Sequence, residues 1–171
     1  MQSHETDYNL IVENFGNVEE KLTEKIENNC ENLTIVHQNI RSIRKNWETF
    51  NLELQQSKIK WDLILLTEIG IKENEKDLYK LEGYSQTAIT REQTKVGGGI
   101  MCLIKNNFVY ESFEHKLDTD DCLVVKTEWK GNEIVIIVLY RQPLSSKKKI
   151  FVKELEILID KYNKCFLFLE I

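Results

Sequence analysis

The spacing of apolar side chains changes near residue 33 and divides the chain into two parts. Before that point apolar residues recur at steps of three and four, the period of one helix face. They are Ile11, Phe15, Val18, Leu22 and Ile26. Beyond it, short unbroken apolar runs predict buried strands. The pattern therefore predicts an amphipathic helical segment over 1–32 and a separate domain over 33–171.

Within 33–171 the pattern predicts a β-α-β unit, several further strands, and an α-β ending. The predicted strands are 33–38, 62–67, 84–90, 97–104, 108–113, 122–129, 133–140 and 166–169, and the predicted helices are 44–56 and 149–162. The polar stretch 72–82 is expected to be a loop with a short helix. A helix between two buried strands implies parallel pairing.

Turn-like sequences imply antiparallel pairing in the middle of the domain. Lys130-Gly131-Asn132 predicts a hairpin between 122–129 and 133–140. We also expect 97–104 to pair with 108–113 across residues 105–107. The economical architecture is an α/β fold in which mixed sheets pack face to face with helices outside.

Length and composition are those of an ordinary globular domain. The chain has 171 residues, of which 42% are hydrophobic and 30% charged. No apolar run approaches the roughly 18 residues of a membrane span, and the first residues lack the features of a secretory signal. We therefore expect an intracellular protein without membrane contact. Its widely spaced cysteines (Cys30, Cys102, Cys122 and Cys165) predict reduced core thiols rather than a zinc site.

The net charge of −5 is unevenly distributed. Residues 1–32 contain eight acidic and two basic side chains, so the rest of the chain is close to neutral. A near-neutral domain does not hold DNA by charge alone, although it permits a local basic patch. The run Lys147-Lys148-Lys149 before the last helix is either a solvated charge run or a contact to a DNA backbone.

Two consecutive buried strands end on polar side chains. Asn39 closes the first and Glu68 follows the second. In α/β folds, sites gather at the carboxyl ends of strands. One carboxylate and one amide oxygen in a shared cleft suit a hard cation such as Mg²⁺ and a phosphate. A glutamate after an apolar strand is by itself more often an exposed strand end, so both interpretations stay open at this point.

A third apolar strand ends on Tyr140 and Arg141. Their phenol and guanidinium could both reach a phosphate, and Arg41 adds a second cation. The alternative is that Tyr140 is an ordinary strand aromatic and Arg141 a solvated residue beyond the strand. His37 lies inside a strand, where a hydrogen-bonded core histidine is expected. The sequence supports no Ser-His-Asp triad.

Four strings in sequence order carry a resemblance to a known family. They are His-Gln-Asn-Ile-Arg-Ser-Ile at 37–43, Leu-Leu-Thr-Glu at 65–68, Gly-Gly-Gly-Ile at 97–100 and Leu-Tyr-Arg-Gln-Pro at 139–143. Together they resemble the endonuclease/exonuclease/phosphatase superfamily. The greatest likeness is to the apurinic-type endonuclease domain of non-LTR (LINE-like) retrotransposons, which precedes a reverse transcriptase. The likeness runs from about residue 33 to the end of the chain.

The resemblance implies a four-layered α/β sandwich and cleavage of DNA phosphodiesters that depends on Mg²⁺ or Mn²⁺. It implies that Glu68 binds the metal, that Asn39 supports the metal and the phosphate region, and that Tyr140 faces the phosphate. Arg141 matches the arginine of the family's Tyr-Arg-Pro-Pro string, and we expect it to bind phosphate together with Arg41. The expected partner is DNA, which implies a nuclear location. A protein partner is expected through the N-terminal helix or an open sheet edge.

The sequence departs from the family pattern near its end. Leu169 and Glu170 occupy the positions of the Gly and Asp in the family's Gly-Asp-Phe-Asn motif, in which the Asp orients the attacking water. The closing Asp and Asp-His motifs have no counterpart in the 171 residues. Ile69 replaces a usual Thr, and Gln142 replaces the first proline of the Tyr-Arg-Pro-Pro string.

These departures lead us to expect a truncated sandwich. Catalytic groups of this kind each contribute roughly 10²–10⁴-fold in rate, so we also expect weak or absent activity. The alternatives are a catalytically dead remnant that acts as a protein- or DNA-binding module, and a truncated gene product without function.

Overall fold

A computed structural model of the chain describes residues 11–14, 32–91, 98–117, 120–141, 148–162 and 165–170. In these ranges the backbone forms nine strands, two α-helices and one 3₁₀ helix. The elements in chain order are β1 (Ile11–Asn14), β2 (Thr34–Asn39), α1 (Ile43–Gln56), β3 (Leu63–Thr67), the 3₁₀ helix (Glu73–Leu78), β4 (Tyr84–Ile89), β5 (Ile100–Lys105), β6 (Tyr110–Glu114), β7 (Asp121–Trp129), β8 (Asn132–Tyr140), α2 (Lys148–Lys161) and β9 (Cys165–Glu170).

The strands form two sheets. The first has the order β1-β2-β3-β5-β4, and the second has the order β6-β7-β8-β9. In the first sheet β1, β2 and β3 are parallel, whereas β5 runs antiparallel to both β3 and β4. In the second sheet β6, β7 and β8 are antiparallel, and β9 returns through α2 to lie parallel to β8. The predicted mixed sheets of an α/β fold are confirmed.

Alternation along the strands produces three apolar layers. On β8, Ile134, Ile136 and Val138 face the first sheet, where they share one buried cluster with residues of β2, β3 and β5. Residues Ile137 and Leu139 of β8 face the other way and pack with α2. The outer face of the first sheet packs against α1. The order α1, first sheet, second sheet, α2 is that of a four-layered sandwich, and each fully buried aliphatic side chain stabilises it by about 1.5–3 kcal/mol.

The beginning of the chain differs from its prediction. Ile11–Asn14 form a strand that lies parallel to β2, with Ile11 opposite Thr34. The predicted helix is wrong for these four residues, because the unpaired edge of β2 offers backbone hydrogen bonds that outweigh the weak preference set by side-chain spacing. The rest of the predicted helix, 15–31, lies outside the described residues. The division of the chain at residue 32 stays a prediction.

The predicted pairing of 97–104 with 108–113 is wrong. Strand β5 already has β3 on one side and β4 on the other, so it has no free edge. Strand β6 instead pairs with β7 in the second sheet. Phe108, at the crossing between the sheets, is buried in their shared core and stacks on Trp129 at 5.7 Å between ring centroids. The free energy gained by burying Phe108 between the sheets outweighs what the predicted hairpin would contribute.

Two cysteines can be compared with their prediction. Cys102 and Cys122 are buried and form no disulfide, as expected of core thiols. Burial raises the pKa of the Cys102 thiol, and burial together with the nearby Glu114 raises the pKa of Cys122 to about 12. Neither thiol is a nucleophile at neutral pH. Separately, none of the helices in the described ranges is long and apolar enough to span a membrane.

Candidate active site at the strand ends

Glu68 directly follows β3 in a backbone conformation that is uncommon for a glutamate. Its φ is +55°, in the left-handed region. The Glu68 carbonyl accepts a hydrogen bond from Ser42 N–H at 2.8 Å, and the next residue, Ile69, donates its N–H to the Gly99 carbonyl at 3.4 Å. Hydrogen bonds from two neighbouring segments thus stabilise a turn that the glutamate would not adopt alone.

Tyr140 brings the second sheet to Glu68. It is the last residue of β8, it is 5% exposed, and it lies on the face of that strand that points toward the first sheet. Its hydroxyl donates a hydrogen bond to Glu68 Oε1 at 3.2 Å. Two residues that are 72 positions apart in the sequence therefore meet where β3 and β8 end. The place where Glu68 and Tyr140 meet forms the corner of the candidate site.

The environment of Tyr140 keeps its phenol protonated. Burial is the largest cause, followed by the negative charge of Glu68 and the hydrogen bond to it, and together they raise the pKa of Tyr140 to about 12. At neutral pH the phenol is therefore a hydrogen-bond donor rather than a base or a nucleophile.

Asn39 ends β2 beside the same corner. Its partner across β2 and β3 is Thr67, the residue before Glu68. By the two-residue period of a strand it shares a face with Ile35, which is buried between the sheets. The Asn39 Oδ1 atom accepts the N–H of Arg41 at 3.1 Å, which fixes the amide at the start of the β2–α1 connection.

His37 lies one strand period before Asn39. It is 7% exposed, and its Nε2 atom lies 3.4 Å from the hydroxyl of Thr67. It is thus a hydrogen-bonded core histidine, as the sequence predicts, and its partner Thr67 is the residue before Glu68.

The two arginines expected to bind phosphate are in different positions. Arg141 is 7% exposed, and its guanidinium carbon lies 4.8 Å from the centroid of the Phe151 ring on α2. Arg141 thus contacts α2, whereas Tyr140 lies between the two sheets, and binding of phosphate by Arg141 stays a prediction. Arg41 is exposed, and its guanidinium makes no hydrogen bond or ion pair with the part of the chain that the structure describes.

Glu170 ends β9, the strand next to β8. Its Cα partner is Tyr140, so the backbone of β9 places it beside the corner that Glu68 and Tyr140 share. The four strand ends that carry Asn39, Glu68, Tyr140 and Glu170 therefore lie along one edge of the sandwich. Gly97 and Lys147, which the sequence also singled out, lie outside the described residues.

An ion pair that the sequence did not indicate lies next to Tyr140. Asp121, the first residue of β7, is the Cα partner of Tyr140. Its Oδ2 atom accepts hydrogen bonds from Arg91 Nε at 3.0 Å and from Gly99 N–H at 2.8 Å, and Arg91 Nη2 lies 2.7 Å from the same oxygen. An arginine after one strand and an aspartate at the start of another carry no recognisable motif, so no sequence signal indicates this pair.

The donor atoms at the corner fit a hard divalent cation. They are one carboxylate and one amide oxygen, and the second carboxylate oxygen of Glu68 makes no hydrogen bond with described residues. Mg²⁺ takes oxygen ligands and keeps several waters, so one or two protein ligands are sufficient. No three His, Cys, Asp or Glu side chains come together as a possible metal site in the described residues, either at this corner or away from it.

Three solved structures with the same architecture come from proteins of known type. One is TDP2 of D. rerio, humanized by 14 mutations, with a TM-score of 0.57, 12% identity, and coverage of 80% of this chain and 64% of that one. An endonuclease/exonuclease/phosphatase family protein of Bacteroides thetaiotaomicron has a TM-score of 0.57 and 15% identity, and the match covers 79% of this chain and 62% of that one. The endonuclease domain of TRAS1, a telomere-specific non-LTR retrotransposon, has a TM-score of 0.54 and 13% identity, covering 78% and 56%.

These likenesses show that the chain has the endonuclease/exonuclease/phosphatase fold. No protein-family model and no curated protein matches its sequence. The chain spans less than two thirds of the length of each of these three structures.

Proposed function

We propose that this chain, folded as an endonuclease/exonuclease/phosphatase sandwich, carries the metal- and phosphate-binding residues of a DNA endonuclease of the non-LTR retrotransposon type. The observation that supports this most is the hydrogen bond between Tyr140 and Glu68, which joins the two sheets at the ends of their strands. A carboxylate, an amide and a protonated phenol at one corner are a suitable set for a metal ion and a phosphate.

Each residue has a chemical role in this proposal. Glu68 would hold Mg²⁺ or Mn²⁺, with Asn39 supporting the same site. When bound, the cation would supply Lewis-acid stabilisation of charge on the phosphate. Tyr140 is protonated, and its single O–H orients the Glu68 carboxylate; with a phosphate bound, the same O–H would instead donate to a phosphate oxygen. Asn39 offers its amide N–H₂ as a further donor to the same phosphate.

The choice of DNA as substrate rests on similar proteins and on charge. D. rerio TDP2 has been solved in complex with a single-strand DNA product, and this chain matches that structure with a TM-score of 0.56 at 11% identity. The exposed guanidinium of Arg41 lies two residues from Asn39 and suits a contact to the DNA backbone. If genomic DNA is the substrate, the protein works in the nucleus.

Nicking of supercoiled plasmid in Mg²⁺ tests this proposal. We expect Glu68→Gln to lower the nicking rate by about 10²-fold or more, because it removes the charge that holds the metal. Glu128→Gln makes the same charge change at an exposed position of β7, and we expect it to nick at the rate of the unmodified chain. Equal nicking by the Glu68→Gln variant would rule out a catalytic centre at this corner.

A second candidate function is binding of metal and DNA without cleavage. It is favoured by Glu170, which β9 pairs with Tyr140 and which stands where the resemblance expects the Asp that orients the water. The glutamate side chain is one methylene longer, which would misplace a water-orienting carboxylate. Glu68-dependent retention of DNA in Mg²⁺ without any nicked product would favour this function over the endonuclease.

A further inference from the structure

The Arg91–Asp121 pair joins the two sheets at the candidate active site. Arg91 follows β4 of the first sheet, whereas Asp121 begins β7 of the second. Both side chains are nearly buried, at 10% and 12% exposed. Like the Tyr140–Glu68 hydrogen bond, the pair crosses from one sheet to the other at the corner where the strands end.

On the first sheet, Asp121 is connected to the backbone at Glu68. Its Oδ2 atom accepts the N–H of Gly99 at 2.8 Å. The carbonyls of Gly99 and Gly98 in turn accept the N–H groups of Ile69 at 3.4 Å and Gly70 at 3.0 Å. These are the two residues that follow Glu68, so the aspartate anchors the segment that sets the Glu68 backbone.

On the second sheet, Asp121 is the register partner of Tyr140. It shares a face of β7 with Leu123, whose side chain is buried between the sheets, so it points into the same interlayer space as Tyr140. Asp121 is thereby linked to both partners of the Tyr140–Glu68 hydrogen bond. Its carboxylate reaches the backbone beside Glu68 through Gly99, and its backbone pairs with that of Tyr140.

The two glycines of this region allow the close contacts. A Cβ atom on Gly98 would lie 2.6 Å from Arg91 Nε, and one on Gly99 would lie 2.8 Å from Ile69 Cγ1. Their φ angles of +79° and +83° also favour glycine. Gly98 and Gly99 therefore make room for the arginine and for the backbone next to Glu68.

A buried ion pair of this kind is not explained by stability alone. Desolvation of the two charges offsets much of their attraction, and apolar residues of similar size often stabilise a protein as well or better. What an apolar pair could not supply is a carboxylate oxygen that accepts directed hydrogen bonds from the Gly99 N–H and from the Arg91 guanidinium.

We propose that Arg91 and Asp121 are positioning residues that hold the Glu68 carboxylate against the Tyr140 hydroxyl. The proposal rests on the proposed function, because positioning matters to cleavage only if Glu68 and Tyr140 act there. It assigns no contact between Arg91 or Asp121 and the substrate.

A double-mutant cycle of Glu68→Ala and Tyr140→Phe, each of which removes one partner of the hydrogen bond, tests the proposal, with urea unfolding of the full chain as the measurement. In the unmodified background we expect the two side chains to be coupled by about tenfold in the unfolding equilibrium constant. In the Asp121→Asn or Arg91→Met background we expect the coupling to fall below about twofold. Arg91→Lys, which keeps the charge without the fork, should give an intermediate value and is the variant of choice if Asp121→Asn does not fold.

The Lys105–Asp62 pair provides a matched control at the other end of β5. Asp62 also accepts a backbone N–H, from Thr34 at 2.9 Å, and binds Lys105 Nζ at 2.8 Å, while its side chain is 12% exposed. We expect Asp62→Asn and Lys105→Met to reduce stability but to leave the tenfold coupling unchanged. Coupling that persists in the Arg91 variants, or that falls equally in the control backgrounds, would overturn the proposal.

This measurement needs neither metal nor DNA, so it is separate from the test of function. If coupling depends on Arg91 and Asp121 but Glu68 contributes nothing to nicking or to retention of DNA, then the proposed function is wrong and the pair holds a structural contact, which overturns its role in positioning for catalysis. If Glu68 is needed for nicking and coupling is independent of the pair, only the positioning proposal fails.

Discussion

At the scale of single residues, the site depends on backbone positions that ordinary side chains adopt with difficulty. Glu68 has a positive φ, and so does Gly99, whose carbonyl faces the residue after Glu68. The glutamate is tolerated because two neighbouring segments, those of Ser42 and Gly99, hydrogen-bond the backbone around it. The glycine is required because both its φ and its surroundings exclude a side chain.

Gly99→Ala should therefore destabilise the chain more than an ordinary glycine substitution. The left-handed conformation alone costs an L-residue about 1–2 kcal/mol, and the contacts of the new Cβ with Ile69 and with the Ile89 carbonyl add about 1–3 kcal/mol. Gly131→Ala is the matched control, because its φ is +75° and nothing lies within 4 Å of its Cβ position. Equal losses of unfolding free energy in urea for the two variants would show that the packing at Gly99 is not tight.

At the scale of elements, the sequence predicts the long apolar strands but not which strands pair with one another. Strands β3 and β8 follow from unbroken runs of Leu, Ile and Val, because a strand buried on both faces needs no alternation. The partner of β6 did not follow, since a turn-like sequence at 105–107 says nothing about whether β5 has a free edge. For the same reason the apolar spacing at 11–14 predicts a helix where β1 forms, because the pairing of β1 with β2 is a tertiary contact.

The ion pair between Arg44 of α1 and Glu75 of the 3₁₀ helix contributes stability that depends on pH. The Arg44 guanidinium binds the Glu75 carboxylate, and this hydrogen bond, followed by that from the Lys72 N–H, lowers the pKa of Glu75 to about 2. Because the pKa is below its ordinary value of 4.5, the ionised carboxylate stabilises the fold above about pH 4.5. That contribution is lost as the pH falls from 4.5 toward 2.

Glu75→Gln should thus flatten the decline of unfolding free energy between pH 4.5 and 2, as measured by urea unfolding at each pH. Glu48→Gln removes a carboxylate from the exposed side of α1 and leaves the Arg44–Glu75 contact intact, so its profile should keep the decline of the unmodified chain. A Glu75→Gln profile identical to that of the unmodified chain would contradict this assignment.

At the scale of the whole molecule, two sheets bring the ends of their strands to one edge of the sandwich. Asn39, Glu68 and Tyr140 were singled out in the sequence because each ends an apolar run and because their motifs resemble one family in order. No sequence pattern predicts the Arg91–Asp121 pair, because the two side chains meet only when the sheets face each other. The sequence does not predict the contact of the Arg141 guanidinium with Phe151, because that contact depends on how α2 packs on the second sheet.

The proposed function depends on binding of a divalent cation by Glu68 at this edge, and calorimetric titration of the full chain with Mg²⁺ measures that binding. We expect one ion per chain, affinity reduced by about tenfold or more in Glu68→Gln, and unchanged affinity in Glu128→Gln. Binding of Mg²⁺ with the same affinity and stoichiometry by the Glu68→Gln variant would show that Glu68 is not a ligand of the cation.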